Sequence, residues 1–277
     1  MSLKNFLNRL PKHRYLIRST DYRMPHIAWD LKSIQDVDKT KRVPKDIGDR
    51  IAKISVQGTR KVFDFITRYN EYNMTKRKWL NRAIFLETIA GIPGMIGGMV
   101  RHMKSLRTLE KDHGWIHHLL EEAENERMHL FFFLREKNPG LLFRFIIACT
   151  QFLFFSLHFF FYLIFPRYMH RFVGYLEEEA VHTYTVMLRH IDNGCLEGWK
   201  AKPAPNDFKI YYALPEEATY RDVVACIRAD ELAHREYNHL FSDIHGENEE
   251  IVHDKLEYLN THLNKNVEDY YETKKNE

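Results

Sequence analysis

Glutamate and histidine three residues apart are the chemically suggestive feature of this chain. On a helix, Glu-x-x-His sets a carboxylate and an imidazole one turn apart on one face, a spacing suited to metal ligands. Six such pairs occur: Glu110/His113, Glu126/His129, Glu179/His182, Glu231/His234, Glu236/His239 and Glu250/His253. Composition alone would give about one. Helix faces sort them. Val224, Ile227, Glu231, His234, Asn238 and Phe241 step by three or four, so Glu231 and His234 lie in line with apolar residues and should face a core. Leu119, Glu122, Glu126, His129 and Phe133 form an equivalent stripe. Glu236 and His239 fall off their stripe. Glu110/His113 abuts Gly114 and Glu250/His253 sits in the acidic stretch GENEE, so both read as surface coincidences.

Two other segments carry a carboxylate on an apolar face. Val173, Glu177, Val181, Tyr184, Leu188 and Ile191 pick Glu177 out of a run of three glutamates, and Glu87 is the single charge in AIFLETIAGIPGMIGGMV. A lone buried carboxylate costs several kcal/mol unless it is neutralised, paired or bound to metal. Two Glu-x-x-His helices plus one Glu from each of two more is the ligand set of dinuclear carboxylate four-helix bundles. Four carboxylates balance two divalent cations, and oxygen-rich ligation with two imidazoles suits iron or manganese. Ordinary salt bridges on amphipathic helices explain any one pair equally well, but explain all four helices together poorly. Tyr184 lies seven residues after Glu177 on the same face, and helical side chains lean toward the N-terminus, so its phenol should approach the site. It is either a redox tyrosine or a core tyrosine bonded to a carboxylate.

Helices must position these residues. Helical periodicity predicts segments at about 46–69, 76–111, 114–136, 141–165, 167–192 and 218–241, separated by Gly and Pro punctuation and by the link 193–214. The predicted class is all-α, a ferritin-like four-helix bundle with additional membrane-interface helices. One domain over 26–260 is expected, between a basic N-terminal extension (1–25) and a charged tail (261–277). The extension, with Lys4, Arg9, Lys12, Arg14 and Arg18 and no acid before Asp21, reads either as transit-like or as a retained basic arm.

Composition narrows the function. The 277 residues carry a net charge of +3, too small to argue nucleic-acid binding, and no basic stripe with interleaved aromatics occurs. Three cysteines, none in a Cys-x-x-Cys pair, exclude a disulfide scaffold and a thiolate zinc site. Mean hydropathy is −0.47, yet residues 145–165 contain no Asp, Glu, Lys or Arg. That run is long enough to span a bilayer. A single span there would put Glu126 and Glu177 on opposite sides, where they could not share a site. About thirteen uncharged residues follow Glu87 before the next charge, too few for a second span. The expectation is a monotopic protein with the 88–109 and 141–165 helices immersed in one leaflet.

The blocks LETIAGIPGMIGGMVRHMKSL, LLEEAENERMHLFFFL, YLEEEAVHTYT and RADELAHREYNH resemble, in order, the four signature blocks of the alternative oxidases. These are the cyanide-insensitive, non-haem ubiquinol oxidases of the mitochondrial inner membrane, and the resemblance runs from about Trp29 to Phe241. It implies that Glu87, Glu126, His129, Glu177, Glu231 and His234 ligate two iron ions and that Tyr184 takes part in oxygen reduction. It further implies that Arg82, Leu86 and Thr183 line the quinol or inhibitor pocket. Asn125, His170, Tyr211, Asp230 and Trp29 would supply supporting hydrogen bonds, with Tyr211 and Tyr212 interchangeable in that role. By the same resemblance the protein would oxidise ubiquinol with dioxygen, without pumping protons. It would sit on the matrix side of the inner membrane as a homodimer packed through the helix containing His102 and Met103. Plant members have regulatory N-terminal cysteines, and this chain has no Cys before Cys149, so thiol-linked activation is not expected. Two other readings remain open at this point: a plastid-type quinol oxidase, and a non-enzymatic iron-binding bundle.

Overall fold

The computed structural model describes residues 26, 29–35, 37, 41–196 and 198–246, and seven α-helices account for most of them. They are α1 (Ile47–Thr67), α2 (Lys76–Thr108), α3 (Trp115–Leu134), α4 (Leu141–Ile164), α5 (Pro166–Asp192), α6 (Asn206–Tyr211) and α7 (Tyr220–Asp243). Among the described residues there is no strand, only an isolated bridge between Pro203 and Thr219. The basic extension 1–25, the tail 261–277 and the pair Glu250/His253 lie outside the described residues.

Local chemistry explains where these helices start and stop. The Asp46 side chain accepts from Asp49 N at 2.8 Å to open α1, Thr75 accepts from Lys78 N to open α2, and Thr219 with Asp222 forms a capping box on α7. Arg68, at φ 51°, ends α1 in the left-handed region. The helix the sequence did not reveal is α6, whose six residues are too few to display a period.

Packing then sets the distances between the helices. α5 lies along α7, and α2 along α3, as the two most extensive pairs; α1 rests on α5, and α4 on α2 and α5. The glycines of AGIPGMIGG bring α2 and α3 close: a Cβ on Gly94 would stand 2.5 Å from the carbonyl oxygen of Leu119. Along α3 the buried order is Leu119, then Glu122, Glu126 and His129, then Phe132 and Phe133. Along α7 it is Val224 and Ile227, then Asp230, Glu231 and His234, then Phe241. The polar residues therefore lie between two apolar clusters. One contains Trp79, Phe132, Phe133, Trp199 and Val223, and the other Trp115, Leu119, Tyr237 and Phe241.

The outer helices invert the usual pattern. α4 buries only His158 and Tyr162, while Phe145, Phe152, Leu153, Phe160, Phe161 and Ile164 are exposed. On α1, Ile47, Ile51, Ile54, Val62, Phe65 and Ile66 are each at least 60% exposed, a second apolar stripe. The inner side of α1 is tied down by a salt bridge from fully buried Arg171 to Asp49 at 2.9 Å, and Arg171 also reaches Asp243 on α7.

Candidate metal centre

The three helix stripes read from the sequence are buried as expected. α2 contributes Glu87, α3 Glu126 and His129, α5 Glu177, and α7 Glu231 and His234, all 7% exposed or less. Their ligand atoms fall into two overlapping groups, Glu87, Glu126, His129 and Glu231 in one and Glu126, Glu177, Glu231 and His234 in the other, with the atoms of each within 4.8 Å of one another. Glu126 and Glu231 belong to both. The geometry thus has two shared carboxylates in the middle and one carboxylate with one imidazole at each end. His129 Nδ1 lies 3.4 Å from Glu126 and Glu231 and 3.6 Å from Glu87. His234 Nδ1 lies 3.0 Å from Glu126 and 3.2 Å from Glu231.

The donor set fits two cations. Glu87 Oε2, both Glu126 oxygens and His129 Nδ1 are buried without a hydrogen-bond partner, although such atoms are almost always satisfied in folded proteins. They converge, and carboxylate oxygen with imidazole nitrogen is the chemistry of an iron or manganese site. The protonation behaviour agrees. Burial, reinforced by the neighbouring Glu126 charge, pushes the Glu87 carboxyl up to about 7, and burial with Glu231 pushes Glu177 well above its usual range. Burial works against charge on both imidazoles, but the neighbouring carboxylates, Asp230, Glu126 and Glu231 for His129 and Glu126 and Glu231 for His234, raise both well above the usual imidazole value. Without cations, protons neutralise this cluster.

Around the His129 end, one acid organises five partners. Asp230 Oδ2 accepts from His129 Nε2 at 2.9 Å, Tyr212 at 2.6 Å and Asn125 at 3.2 Å. Its Oδ1 accepts from Trp29 at 2.6 Å and contacts His26 at 2.9 Å. Burial alone would raise Asp230, but His26 and His129 hold it well below the usual carboxylate range. Tyr211 joins one step out, accepting from Asn125 at 2.9 Å. Both tyrosines therefore belong to the network, and Tyr212 makes the direct bond. His170 lies elsewhere, between Tyr162 and Asn238. The Tyr184 hydroxyl donates to Glu87, with its phenol raised well above the usual value by burial and by the Glu87 charge.

Arg82 is buried against Asp64 at 2.7 Å and lies over the Tyr69 ring at 4.0 Å. Asp64 also meets Arg60, which reaches Glu179 and, at 3.5 Å, the Thr183 hydroxyl. Arg82 and Thr183 are thus brought together through α1 residues that the sequence reading did not select. Their signal was an Arg-x-x-x-Asp pair at helical spacing. Leu86 is half-buried beside Glu87. His239, off its stripe, is nevertheless buried, facing Glu178 at 3.2 Å and Arg171 at 2.9 Å. Gly174 leaves room for its ring, which a Cβ there would approach to 2.5 Å.

Fold and site together define a helical-bundle protein built around a buried glutamate–histidine cluster that suits metal ions. The alternative oxidase profile matches residues 29–243. The mitochondrial alternative oxidase of Trypanosoma brucei brucei is 46% identical over 218 residues, 79% of this chain and 66% of that protein. The corresponding proteins of Wickerhamomyces anomalus and Ajellomyces capsulatus are 44% and 43% identical, again over 79% of this chain and over 69% and 65% of their own lengths. The chain belongs to the alternative oxidase family. It spans about two thirds of the length of these relatives.

Proposed function

We propose that the protein is a monotopic ubiquinol oxidase that reduces dioxygen to water at a pair of iron ions, two quinols being oxidised per dioxygen. The observation that carries this is the shared position of Glu126 and Glu231 between two ligand groups, with a tyrosine donating to Glu87, in a chain of the alternative oxidase family. Glu87, Glu126, His129, Glu177, Glu231 and His234 would hold the irons, which supply dioxygen binding and electron storage when bound.

The chain's own residues then divide the remaining work. Tyr184 holds its proton toward Glu87, so an electron leaving the ring leaves with a proton passing to that carboxylate. Asp230 fixes the tautomer and orientation of His129, so that Nδ1 faces the ligands. Arg82 Nε is buried without a hydrogen-bond partner, which supports a role as donor to a quinol oxygen, with Leu86 and Thr183 completing that subsite.

Packing supports a membrane placement. α2 and α4 are both long and apolar enough to cross a bilayer, but 44% of the apolar window of α2 is buried in the protein against 11% for α4. A crossing by α2 would carry its neighbour α3 with it, and α3 has exposed Arg127 beside Glu124; such charges are costly in hydrocarbon. A crossing by α4 alone would separate Glu126 from Glu177. We therefore place the apolar faces of α1 and α4 in one leaflet, a surface from which a lipid-soluble quinol can enter sideways. The leaflet would be the matrix side of the mitochondrial inner membrane. The homodimer would pack through the exposed Met95, Met99, Met103 and Leu106 on the side of α2 that carries His102.

The test is oxygen uptake by membranes carrying the protein, with a short-chain ubiquinol, adding cyanide and then a hydroxamate inhibitor. Uptake should survive cyanide, stop with the hydroxamate, and be absent in Glu126→Ala. Uptake that cyanide abolishes, or that Glu126→Ala retains, overturns the reading.

A further inference from the structure

The two buried residues of α4, His158 and Tyr162, are both polar, and Tyr162 starts a chain of hydrogen bonds that ends beside the metal ligands. Asn238 Nδ2 donates to Glu122 Oε2 at 2.7 Å and to the His234 backbone carbonyl at 3.0 Å. Its Oδ1 therefore faces His170 Nδ1, 3.1 Å away, and because an amide oxygen only accepts, that nitrogen carries the hydrogen. His170 Nε2 is left as an acceptor, and the Tyr162 hydroxyl donates to it at 2.9 Å. Burial pushes His170 down to about 3, so one neutral tautomer persists across the physiological range. The donors point in one direction, from α4 through α5 and α7 to Glu122 on α3.

Space has been left for this chain. A Cβ on Gly97 of α2 would come within 3.3 Å of the Tyr162 hydroxyl. The His170 ring is walled by Trp115, Tyr162 and Phe241 at ring separations of 5.6, 5.3 and 5.3 Å. Asn238 is 1% exposed and Tyr162 3%. The path is thus enclosed throughout, while the exposed face of α4 is mainly apolar.

We propose that Tyr162, His170 and Asn238 form a positioning relay coupling the lipid-facing helix α4 to the His234 half of the metal pair, so that seating α4 in a membrane tightens metal binding there. This rests on the monotopic reading above. The relay acts through Asn238, which fixes the turn of α7 carrying His234 and the carboxylate of Glu122 behind it. Partners behind metal ligands are worth about 10–100-fold in metal affinity. A coupling of this kind is reciprocal: whatever factor lipid adds to metal affinity, metal adds to lipid affinity.

The experiment is manganese(II) binding to the full chain, in detergent and in phosphatidylcholine/cardiolipin vesicles, with vesicle flotation measured alongside. Tyr162→Phe removes one oxygen and keeps the ring, and Asn238→Asp is isosteric but replaces the donor facing Glu122; helix content by circular dichroism checks both folds. In detergent, each variant should weaken the weaker manganese step about 10-fold and leave the tighter step unchanged. Vesicles should tighten the weaker wild-type step at least about fivefold, strengthen flotation of loaded protein by the same factor, and have no such effect on Tyr162→Phe. Wild-type affinities in both variants, or equal weakening of both steps, overturn the relay. A wild type that floats but binds manganese equally in both media overturns the coupling to lipid. Failure to float contradicts the monotopic reading instead, and the detergent comparison still decides the relay.

Discussion

His129 and His234 occupy corresponding ends of one carboxylate cluster, yet their surroundings differ. The His129 side chain is 0% exposed and its outward nitrogen is bonded to an ionised acid with four other partners. The His234 side chain is 9% exposed, and among the described residues no side chain bonds its outward nitrogen. A neutral amide steadies its backbone instead. A charged anchor in a dry setting fixes an imidazole strongly, since a buried hydrogen bond to a carboxylate is about twice as strong as a neutral one. The pseudo-symmetry of two Glu-x-x-His motifs therefore conceals a rigid end and a more adaptable one, and the adaptable end is the one that the Tyr162–His170–Asn238 chain joins to the apolar outer helix.

The comparison can be broken or sharpened by graded changes. Glu126→Ala removes a carboxylate shared by both ends and should weaken both metal steps by more than about 100-fold, beyond what changes behind the ligands achieve. Isothermal titration with manganese measures this. Asp230→Ala leaves five partners without their acid; it should lower stability by about 3–5 kcal/mol, as breaking a buried pair does, and weaken the tighter metal step about 10–100-fold. Chemical denaturation and the same titration distinguish the two effects. Gly94→Ala drives a methyl into Leu119's carbonyl and meets neither imidazole. It should cost about 1–3 kcal/mol through overpacking, seen as a lower denaturation midpoint, while preserving the ratio of the two metal affinities.

The smallest effect is a pH dependence that both ends share. A ligand that must lose a proton before binding metal makes affinity rise with pH until its own pKa is passed, by up to about tenfold per pH unit per proton displaced. Glu87, at the His129 end, is raised to about 7, and Glu177, at the His234 end, is raised well above the usual carboxylate range. Manganese titrations at pH 6, 7 and 8 should therefore show both steps tightening as pH rises.

How much of this was legible in the sequence depended on periodicity. Glu87, Glu126, Glu177 and Glu231 were readable because each interrupts an apolar stripe, and a stripe fixes which face is buried. The long helices were readable for the same reason, within a few residues of their ends. Arg60, Asp64 and Glu179 were not, because half-buried charges at helical spacing look the same on any solvated face. His26 was missed, and Tyr212 was named only as interchangeable with Tyr211, because their partner Asp230 is about two hundred residues from one and eighteen from the other, on elements with no shared pattern. The exposed stripe on α1 was present as a spacing. Only the packing of α1 onto α5 reveals that the stripe faces outward.

The central claim is that Glu126 and Glu231 serve both ends while Glu87 and Glu177 serve one each. Manganese stoichiometry of the wild type, Glu87→Ala and Glu231→Ala, measured on metal-stripped protein of confirmed helix content, tests it most directly. The account predicts two ions per wild-type chain, one retained tightly by Glu87→Ala, and none retained tightly by Glu231→Ala. A Glu231→Ala chain that still holds one ion at wild-type affinity would contradict it.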